Sequence, residues 1–326
     1  MKPKVLISDS LSDAAIQVFK DRGVEVDFQP NLGKDKEKLA AVIGNYDGLA
    51  IRSATKVTPK IIERAAKLRV IGRAGIGVDN VDIPAATARS ILIGNTPGVL
   101  TEATADIAVT LLLAATRRLG ESATDAKEGR WLTWDPRGWL GQDLLGKTLG
   151  IVGMGRIGFA TAKRLYGGWG MKVLYTARTP KLDADTQLGA TRVELNELLE
   201  QSDFVSVHTD LNPETKGLFG AEQFRRMKRT AIFINTSRGP VVQQPALAEA
   251  LRNGTIFAAG LDVTDPEPIP ASSPLLTLEN IIVVPHIASA SAKTRARMAE
   301  MALSNLQAGL SGSRLPYCAN PQVYDS

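Results

Sequence analysis

The chain has 326 residues, of which 44% are hydrophobic and 22% charged, a composition typical of a soluble globular protein with room for two domains. Its formal net charge of +5 is spread over dispersed lysines and arginines, which argues against a nucleic-acid-binding protein. We find no apolar stretch of the length of a signal peptide or membrane helix, and Cys318 is the single cysteine. We therefore expect a cytoplasmic protein that binds no membrane, with no disulfide and no metal site.

The first hundred residues alternate short apolar runs with segments of helical spacing. This alternation predicts an α/β domain whose parallel sheet carries helices on both faces. The predicted strands are residues 5–7, 24–28, 48–51, 70–71 and 91–93, and the predicted helices are residues 12–22, 36–43 and 59–66.

Two segments then separate this series from a second one. Residues 101–119 predict one long apolar helix, of the kind that faces another domain or subunit. Residues 131–145 contain Trp131, Trp134 and Trp139 together with proline and glycine, which indicates an ordered loop. The loop either forms a small hydrophobic cluster of its own or contacts another subunit.

The second alternating series predicts a second doubly wound parallel sheet. Its strands begin at residue 148 and continue at 171–175, 204–207, 231–234, 258–261 and 281–284, and a final helix covers 291–310. The two series together predict an α/β fold of two doubly wound parallel-sheet domains.

The first strand of the second series leads directly into a glycine pattern, G-x-G-x-x-G. A helical stretch and another strand follow it, as in a dinucleotide-binding βαβ unit. Glycines permit the tight turn and the close approach of backbone to a pyrophosphate, and the helix start offers unpaired N–H groups to the phosphates. The predicted phosphate-binding residues are Gly153, Gly155, Arg156, Ile157 and Gly158. The alternative is a glycine-rich turn without a ligand.

The second strand of this unit ends without the acidic residue that usually holds the adenosine ribose. Arg178 stands there instead, flanked by the hydroxyls of Thr176 and Thr179. A carboxylate would repel a 2′-phosphate, whereas a guanidinium binds one, so NADP(H) is favoured and NAD(H) is the alternative.

The two histidines of the chain, His208 and His286, each follow an apolar strand. Ligands gather at the carboxyl ends of parallel strands, and imidazole is the side chain best suited to protonate an alkoxide near neutral pH. Spacing alone does not choose between the two histidines.

Four motifs in order carry a resemblance to a known family. They are Asn-Thr-Ser-Arg-Gly at 235–239, Gly-Leu-Asp-Val at 260–263, Asp-Pro-Glu-Pro at 265–268 and Pro-His-Ile-Ala-Ser at 285–289. This series resembles the D-isomer-specific 2-hydroxyacid dehydrogenases over essentially the whole chain. Residues 95–106, the tryptophan-rich loop and the Thr-Ala-Arg-Thr segment are most similar to the glyoxylate/hydroxypyruvate reductases, whereas residues 51–57 and 72–80 resemble phosphoglycerate dehydrogenases.

The resemblance implies a catalytic set of three residues. His286 would be the general acid in carbonyl reduction, and Glu267 would bond its other ring nitrogen and stabilise the imidazolium. Arg238 would bind the substrate's carboxylate and 2-oxo oxygen. Where the family commonly has glycine, this chain has Ala288.

The resemblance also implies further contacts. Asp262 would touch the nicotinamide side of the cofactor, and His208 would lie near the cofactor without transferring a proton. Arg52 and the backbone N–H groups of Ile76 and Gly77 would bind the substrate. Thr104 and Thr236 complete the implied cofactor contacts.

The sequence therefore predicts an NADPH-preferring enzyme that reduces glyoxylate and hydroxypyruvate to D-2-hydroxy acids. The resemblance implies that residues 1–100 and 290–326 form a flavodoxin-like substrate domain and residues 101–289 a Rossmann dinucleotide-binding domain. It also implies a homodimer formed through the dinucleotide-binding domain. Two alternatives are a D-3-phosphoglycerate dehydrogenase and a non-catalytic, NAD(H)-sensing scaffold of the corepressor type.

Overall fold

The structure, a computed structural model, describes residues 2–10, 16–17, 21 and 24–325. The predicted helix over residues 12–22 falls mostly outside the described residues. The chain divides into two compact units, one that runs up to Leu100 and resumes at Ala290, and one formed by Thr101–Ser289.

The first unit is built on a five-stranded parallel sheet. Its strands are β1 (Lys4–Ile7), β2 (Glu25–Phe28), β3 (Gly48–Ile51), β4 (Val70–Arg73) and β5 (Leu92–Gly94), and the helices between them are α1 (Lys36–Val42), α2 (Pro59–Arg64) and α3 (Ile83–Ala88). The strand order is β2-β1-β3-β4-β5, which is the flavodoxin-like order.

The register of this sheet explains its sequence pattern. Leu6 pairs with Leu49, Leu49 with Ile71, and Ile71 with Ile93, so one row of fully buried side chains crosses four strands. A parallel sheet covered on both faces needs apolar residues on both sides, and β3 and β4 are accordingly buried throughout.

The second unit is built on a seven-stranded parallel sheet. Its helices are α4 (Thr101–Thr116), α5 (Leu119–Lys127), α6 (Arg156–Trp169), α7 (Leu182–Leu188), α8 (Leu195–Gln201), α9 (Ala221–Arg226) and α10 (Gln244–Arg252). Its strands are β6 (Thr148–Val152), β7 (Lys172–Thr176), β8 (Thr191–Arg192), β9 (Phe204–Val207), β10 (Ile232–Asn235), β11 (Ala258–Leu261) and β12 (Ile281–Val283). The order β12-β11-β10-β9-β6-β7-β8 is that of a Rossmann fold, which confirms the predicted fold class.

Two details of the second unit differ from the predictions. The long helix predicted over residues 101–119 ends at Thr116, because Arg118 has a left-handed backbone with φ of 51° and a new helix starts at Leu119. Strand β8 was not predicted, since two residues are too few to show an alternating pattern.

The tryptophan-rich segment contains neither helix nor strand. Trp131, Leu132 and Trp134 are 63%, 89% and 79% exposed, so the prediction of a separate hydrophobic cluster is wrong for this stretch. Within the part of the chain that the structure describes, no helix has the length and apolar character needed to cross a membrane.

The last helix, α11 (Ala292–Leu310), returns to the first unit. It begins where predicted, because the hydroxyl of Ser291 accepts a hydrogen bond from the N–H of Thr294 at 3.1 Å. Leu303 and Leu306 pack with Val5 and Val70 on the sheet face opposite the Leu6 row.

Candidate active site

The glycine pattern forms the turn between β6 and α6. Gly153 has φ of +97°, and a Cβ there would lie 2.8 Å from the backbone carbon of His208. At Gly158, buried in the first turn of α6, a Cβ would lie 2.4 Å from the carbonyl oxygen of Gly153. A Cβ at Gly155 would meet no atom within 4 Å among the described residues, so open space lies above it. The glycines therefore fit a dinucleotide that approaches the backbone closely.

The start of α6 offers donors to this space. Gly155 is its N-cap, no described side chain caps it, and Arg156 and Ile157 are its first residues. The N–H groups of a first helical turn and the helix dipole favour an anion at this place.

The residues predicted to bind the 2′-phosphate of the ribose lie at the end of β7 and in the turn after it. Thr176 is the last residue of that strand, and Arg178 and Thr179 are exposed in the turn beyond it. The ammonium group of Lys181 lies 3.3 Å from the Thr179 hydroxyl. The structure thus has Arg178, the two predicted hydroxyls and the ammonium group of Lys181 at one strand end.

Arg192 also reaches this turn, and the sequence did not point to it. Its Nε donates to the carbonyl oxygen of Ala177 at 2.9 Å and its Nη2 to that of Arg178 at 3.4 Å. An exposed arginine in a two-residue strand carries no signal in a single sequence that would have found it.

The imidazole of His286 is paired with a carboxylate. Its Nδ1 lies 2.8 Å from Oε2 of Glu267, and both side chains are about one-third exposed, at 34% and 36%. Oε1 of Glu267 accepts the N–H of Thr264 at 3.2 Å. Burial alone would raise the pKa of Glu267, but the hydrogen bond and charge of His286, the Thr264 N–H and the charge of Arg238 hold that pKa below its usual range.

Arg238 is brought to the same place by the turn after β10. The side chain of Asn235 shapes this turn, since its Oδ1 accepts the N–H of Ser237 at 2.9 Å and its Nδ2 donates to the carbonyl of Arg238 at 3.0 Å. A Cβ at Gly239 would lie 1.9 Å from the carbonyl oxygen of Thr264, so the turn touches the loop that carries Glu267. The structure therefore places Arg238 close to the pair of Glu267 and His286.

Asp262 holds the loop that carries His286. It is 1% exposed, and its two carboxylate oxygens accept the N–H groups of Ile287 at 2.6 Å and Ala288 at 3.0 Å. Its carbonyl accepts the N–H of His286 at 3.0 Å. His286 has φ of 50°, a left-handed conformation that is costly for a residue with a Cβ and that these bonds maintain. Burial raises the pKa of Asp262, against the lowering effect of the two N–H groups.

His208 lies in a different environment. Its Nε2 is 2.9 Å from the hydroxyl of Ser206, and its Nδ1 is 3.4 Å from that of Thr236. Burial lowers its pKa to about 3, so the ring is neutral near pH 7. Of the two histidines that spacing left open, only His286 has a carboxylate partner among the residues that the structure describes.

The other predicted contacts are placed as follows. Thr104 in α4 and Thr236 after β10 are 3% and 7% exposed. Arg52, Ile76 and Gly77 belong to the first unit, where the N–H groups of Ile76 and Gly77 donate no hydrogen bond among the described residues. Burial and the positive charge of Arg295 lower the pKa of Arg52, a setting in which an anion is favoured.

The second unit therefore combines a glycine turn at a helix start with a carboxylate-paired imidazole and a guanidinium. Such a set can give or take a proton and stabilise a carboxylate or oxyanion at the same place. Among the described residues, no three histidine, cysteine or acidic side chains are grouped so that they could hold a metal ion.

Comparison with known proteins agrees with this site. Residues 109–288 match the NAD-binding domain of the D-isomer-specific 2-hydroxyacid dehydrogenases. The chain is 45% identical to the glyoxylate reductase of Korarchaeum cryptofilum over 99% of its length and 97% of the relative's. It is 44% identical to glyoxylate/hydroxypyruvate reductase B of Escherichia coli K12 over the full length of both.

A solved structure is similar over almost the whole chain. It is an NADPH-dependent glyoxylate/hydroxypyruvate reductase of Sinorhizobium meliloti in complex with NADP and malonate. The TM-score is 0.87 and the identity 31%, with 98% of each chain covered.

Proposed function

Because the chain belongs to the D-isomer-specific 2-hydroxyacid dehydrogenase family and binds a nicotinamide dinucleotide, we propose that it reduces glyoxylate and hydroxypyruvate to D-2-hydroxy acids with NADPH as the preferred donor. The observation that carries this proposal is the 2.8 Å pair of His286 and Glu267 beside Arg238 in the dinucleotide-binding unit. The first unit is proposed as the substrate domain.

The proposed reaction moves one hydride and one proton. A bound reduced dinucleotide would supply the hydride that the carbonyl carbon needs. His286 would give a proton from Nε2 to the carbonyl oxygen, so that the 2-oxo group becomes a 2-hydroxyl group. Glu267 keeps Nδ1 engaged and, with its lowered pKa, remains ionised and stabilises the imidazolium before the proton leaves.

Arg238 is proposed to fix and activate the substrate. Its guanidinium would pair with the carboxylate and polarise the 2-oxo group, which stabilises the negative charge that develops on that oxygen. Arg52 and the N–H groups of Ile76 and Gly77 are proposed as ligands for the substrate's anionic group. Asp262 is proposed to act through the His286 loop.

The preference for NADPH rests on the end of β7. Arg178, Lys181 and the hydroxyls of Thr176 and Thr179 gather there. The nearby carboxylate of Asp185 is bonded to the hydroxyl of Tyr175 at 2.8 Å. Gly153, Gly155, Arg156, Ile157 and Gly158 would hold the pyrophosphate, and Thr104, His208, Thr236 and Asp262 would lie along the rest of the cofactor.

A homodimer formed through the second unit is part of the proposal. The segment around Trp131 exposes large apolar side chains that a lone subunit leaves in water. The same unit has a groove of about 540 Å³ lined by Ala114, Phe257 and Ile282 among others. Glu121 also lines it, and its Oε2 is buried without a hydrogen-bond partner among the described residues. The other oxygen of this carboxylate is ion-paired with Arg118, which lines the same groove. A groove with both apolar and polar walls suits a segment of a second subunit that carries both kinds of side chain.

Sedimentation velocity tests the dimer. The wild-type chain should sediment as a dimer, and the double variant Trp131→Ser, Trp134→Ser should shift toward the monomer. A monomeric wild-type protein at micromolar concentration would overturn this part of the proposal.

Steady-state kinetics tests the reaction. Oxidation of NADPH with glyoxylate and hydroxypyruvate should be faster than oxidation of NADH, and both faster than reduction of NAD with D-3-phosphoglycerate. Faster turnover of phosphoglycerate would identify the phosphoglycerate dehydrogenase alternative. Cofactor binding without turnover of any of these substrates would favour the sensing scaffold.

A further inference from the structure

We propose that Arg192 is a specificity-determining residue that, together with Arg178, selects the 2′-phosphorylated dinucleotide. Its guanidinium holds the turn after β7 in place by bonding two of the carbonyl oxygens of that turn. The inference rests on the proposed NADPH preference and assigns that preference to a residue beyond the strand end itself.

The position of Arg192 is fixed by the sheet. Strand β8 pairs in parallel with β7, with Arg192 opposite Tyr175. The next N–H along the chain, that of Val193, donates to the carbonyl of Tyr175 at 3.0 Å. The backbone of Arg192 is therefore anchored beside β7, and its long side chain reaches forward to the turn.

The guanidinium of Arg192 donates hydrogen bonds to the backbone of the turn after β7. Nε donates to Ala177 O at 2.9 Å and Nη2 to Arg178 O at 3.4 Å, so one side chain binds two successive carbonyl groups. The planar fork of an arginine is suited to two such acceptors at once. These bonds set the backbone from which the Arg178 side chain projects.

The positive charge of Arg192 should also favour a 2′-phosphate. Carbonyl oxygens at the end of a strand carry partial negative charge, and a phosphate dianion beside them would be repelled. A guanidinium on both oxygens offsets that charge and adds a cation to the surface that already carries Arg178 and Lys181.

The acidic group close to this surface does not cancel these cations. Asp185 accepts the hydroxyl proton of Tyr175 at 2.8 Å, and the same Tyr175 oxygen accepts the N–H of Lys181 at 2.9 Å. This chain of bonds ties the Asp185 carboxylate to the tyrosine hydroxyl and away from the Arg178 side chain.

The test compares Arg192→Ala and Arg192→Lys with the wild type. For the alanine variant, kcat/KM with NADPH and the affinity for 2′,5′-ADP, measured by calorimetry, should fall about tenfold, as for loss of a charge-assisted hydrogen bond. With NADH, kcat/KM should change less than about twofold. The lysine variant should recover only part of the loss, because one ammonium group cannot hold both carbonyls.

Arg89→Ala is the matched control. The Arg89 guanidinium also donates to two successive carbonyls, those of Ile62 at 3.0 Å and Glu63 at 2.7 Å, but in the first unit. Its loss should cost similar thermal stability and leave the ratio of NADPH to NADH efficiency unchanged.

A double-mutant cycle tests whether Arg192 acts through Arg178. The combined loss in Arg178→Ala, Arg192→Ala should be smaller than the product of the single losses. If the wild type prefers NADPH but Arg192→Ala leaves 2′,5′-ADP affinity unchanged, this inference is wrong and the proposed function stands. If the wild type shows no preference for NADPH, both the inference and the proposed cofactor preference are wrong.

Discussion

Two parts of the second unit differ in how their polar groups are bonded. We call them the His286 corner, formed by Asp262, Glu267 and His286, and the Arg178 corner, formed by the turn after β7 with Arg178 and Thr179. At the first, the chain satisfies its own polar groups: Asp262 binds three consecutive residues, and Glu267 binds both His286 and Thr264. At the second, the side chains of Arg178 and Thr179 are exposed, and Lys181 and Arg192 contact the same turn. Proton transfer needs a fixed geometry, whereas phosphate recognition needs charge that is left for the ligand.

This contrast predicts different responses to substitution. Changes in the His286 corner should reduce turnover with either cofactor, because they disturb a preorganised arrangement. Changes in the Arg178 corner should alter the choice between cofactors and leave the chemical step intact. Four variants, ordered by expected effect, test this division.

The largest effect is expected for His286→Asn. Loss of the general acid should lower kcat about a thousandfold with NADPH and with NADH alike, while cofactor affinity stays near the wild-type value. Single-turnover kinetics and calorimetric titration with NADPH measure the two quantities. A fall of less than about tenfold in kcat would remove His286 from the proposed mechanism.

The next effect is expected for Asp262→Asn. An amide can accept with its oxygen only, so one of the N–H groups of Ile287 and Ala288 loses its partner and the His286 loop shifts. We expect kcat to fall about a hundredfold with little change in NADPH affinity. The control is Asp203→Asn, which weakens a comparable bond to the N–H of Thr148 at 2.9 Å. Equal losses of activity in the two variants would contradict a role specific to the histidine loop.

A smaller effect is expected for Arg178→Asp. The new carboxylate should repel the 2′-phosphate and accept the ribose hydroxyls, so the ratio of NADPH to NADH efficiency should drop roughly 10- to 100-fold. The turnover number with NADH should be retained. An unchanged ratio in steady-state assays would argue against the phosphate role of Arg178.

The smallest effect is expected for Glu267→Gln and concerns the free energy of unfolding. The pKa of Glu267 is lowered in the folded state, so its stabilising contribution is complete above the usual value of 4.5 and is lost as the pH falls through the folded value. Because the pair is about one-third exposed, Glu267→Gln should cost less than about 1 kcal/mol at pH 7. Urea denaturation should show this cost shrinking in acid, and a cost that grows below pH 4.5 would contradict it.

The sequence was sufficient for most of the architecture. Buried parallel strands such as β9 and β11 appear as continuous apolar runs, and Ser291 marks the start of the last helix. The break at Arg118 escaped prediction because Leu119, one residue beyond it, extends the apolar pattern of the preceding helix. A left-handed residue other than glycine or asparagine leaves no mark in the sequence.

The candidate site, too, was predicted from the sequence only in part. Gly153 was predicted from spacing, and His286 and Arg238 from motif resemblance, and the structure brings the latter two together. The loop-holding function of Asp262 and the reach of Arg192 depend on where side chains go in three dimensions. Bonds from a side chain to a distant backbone group leave no periodic pattern in the sequence.

The return of α11 to the first sheet has a consequence for biosynthesis. The dinucleotide-binding unit is one uninterrupted stretch and can fold while the ribosome is still adding residues. The other unit lacks the partners of Val5 and Val70 until Leu303 and Leu306 have been made. During that interval its nascent apolar surface is uncovered, which makes it the part of the chain most in need of a chaperone.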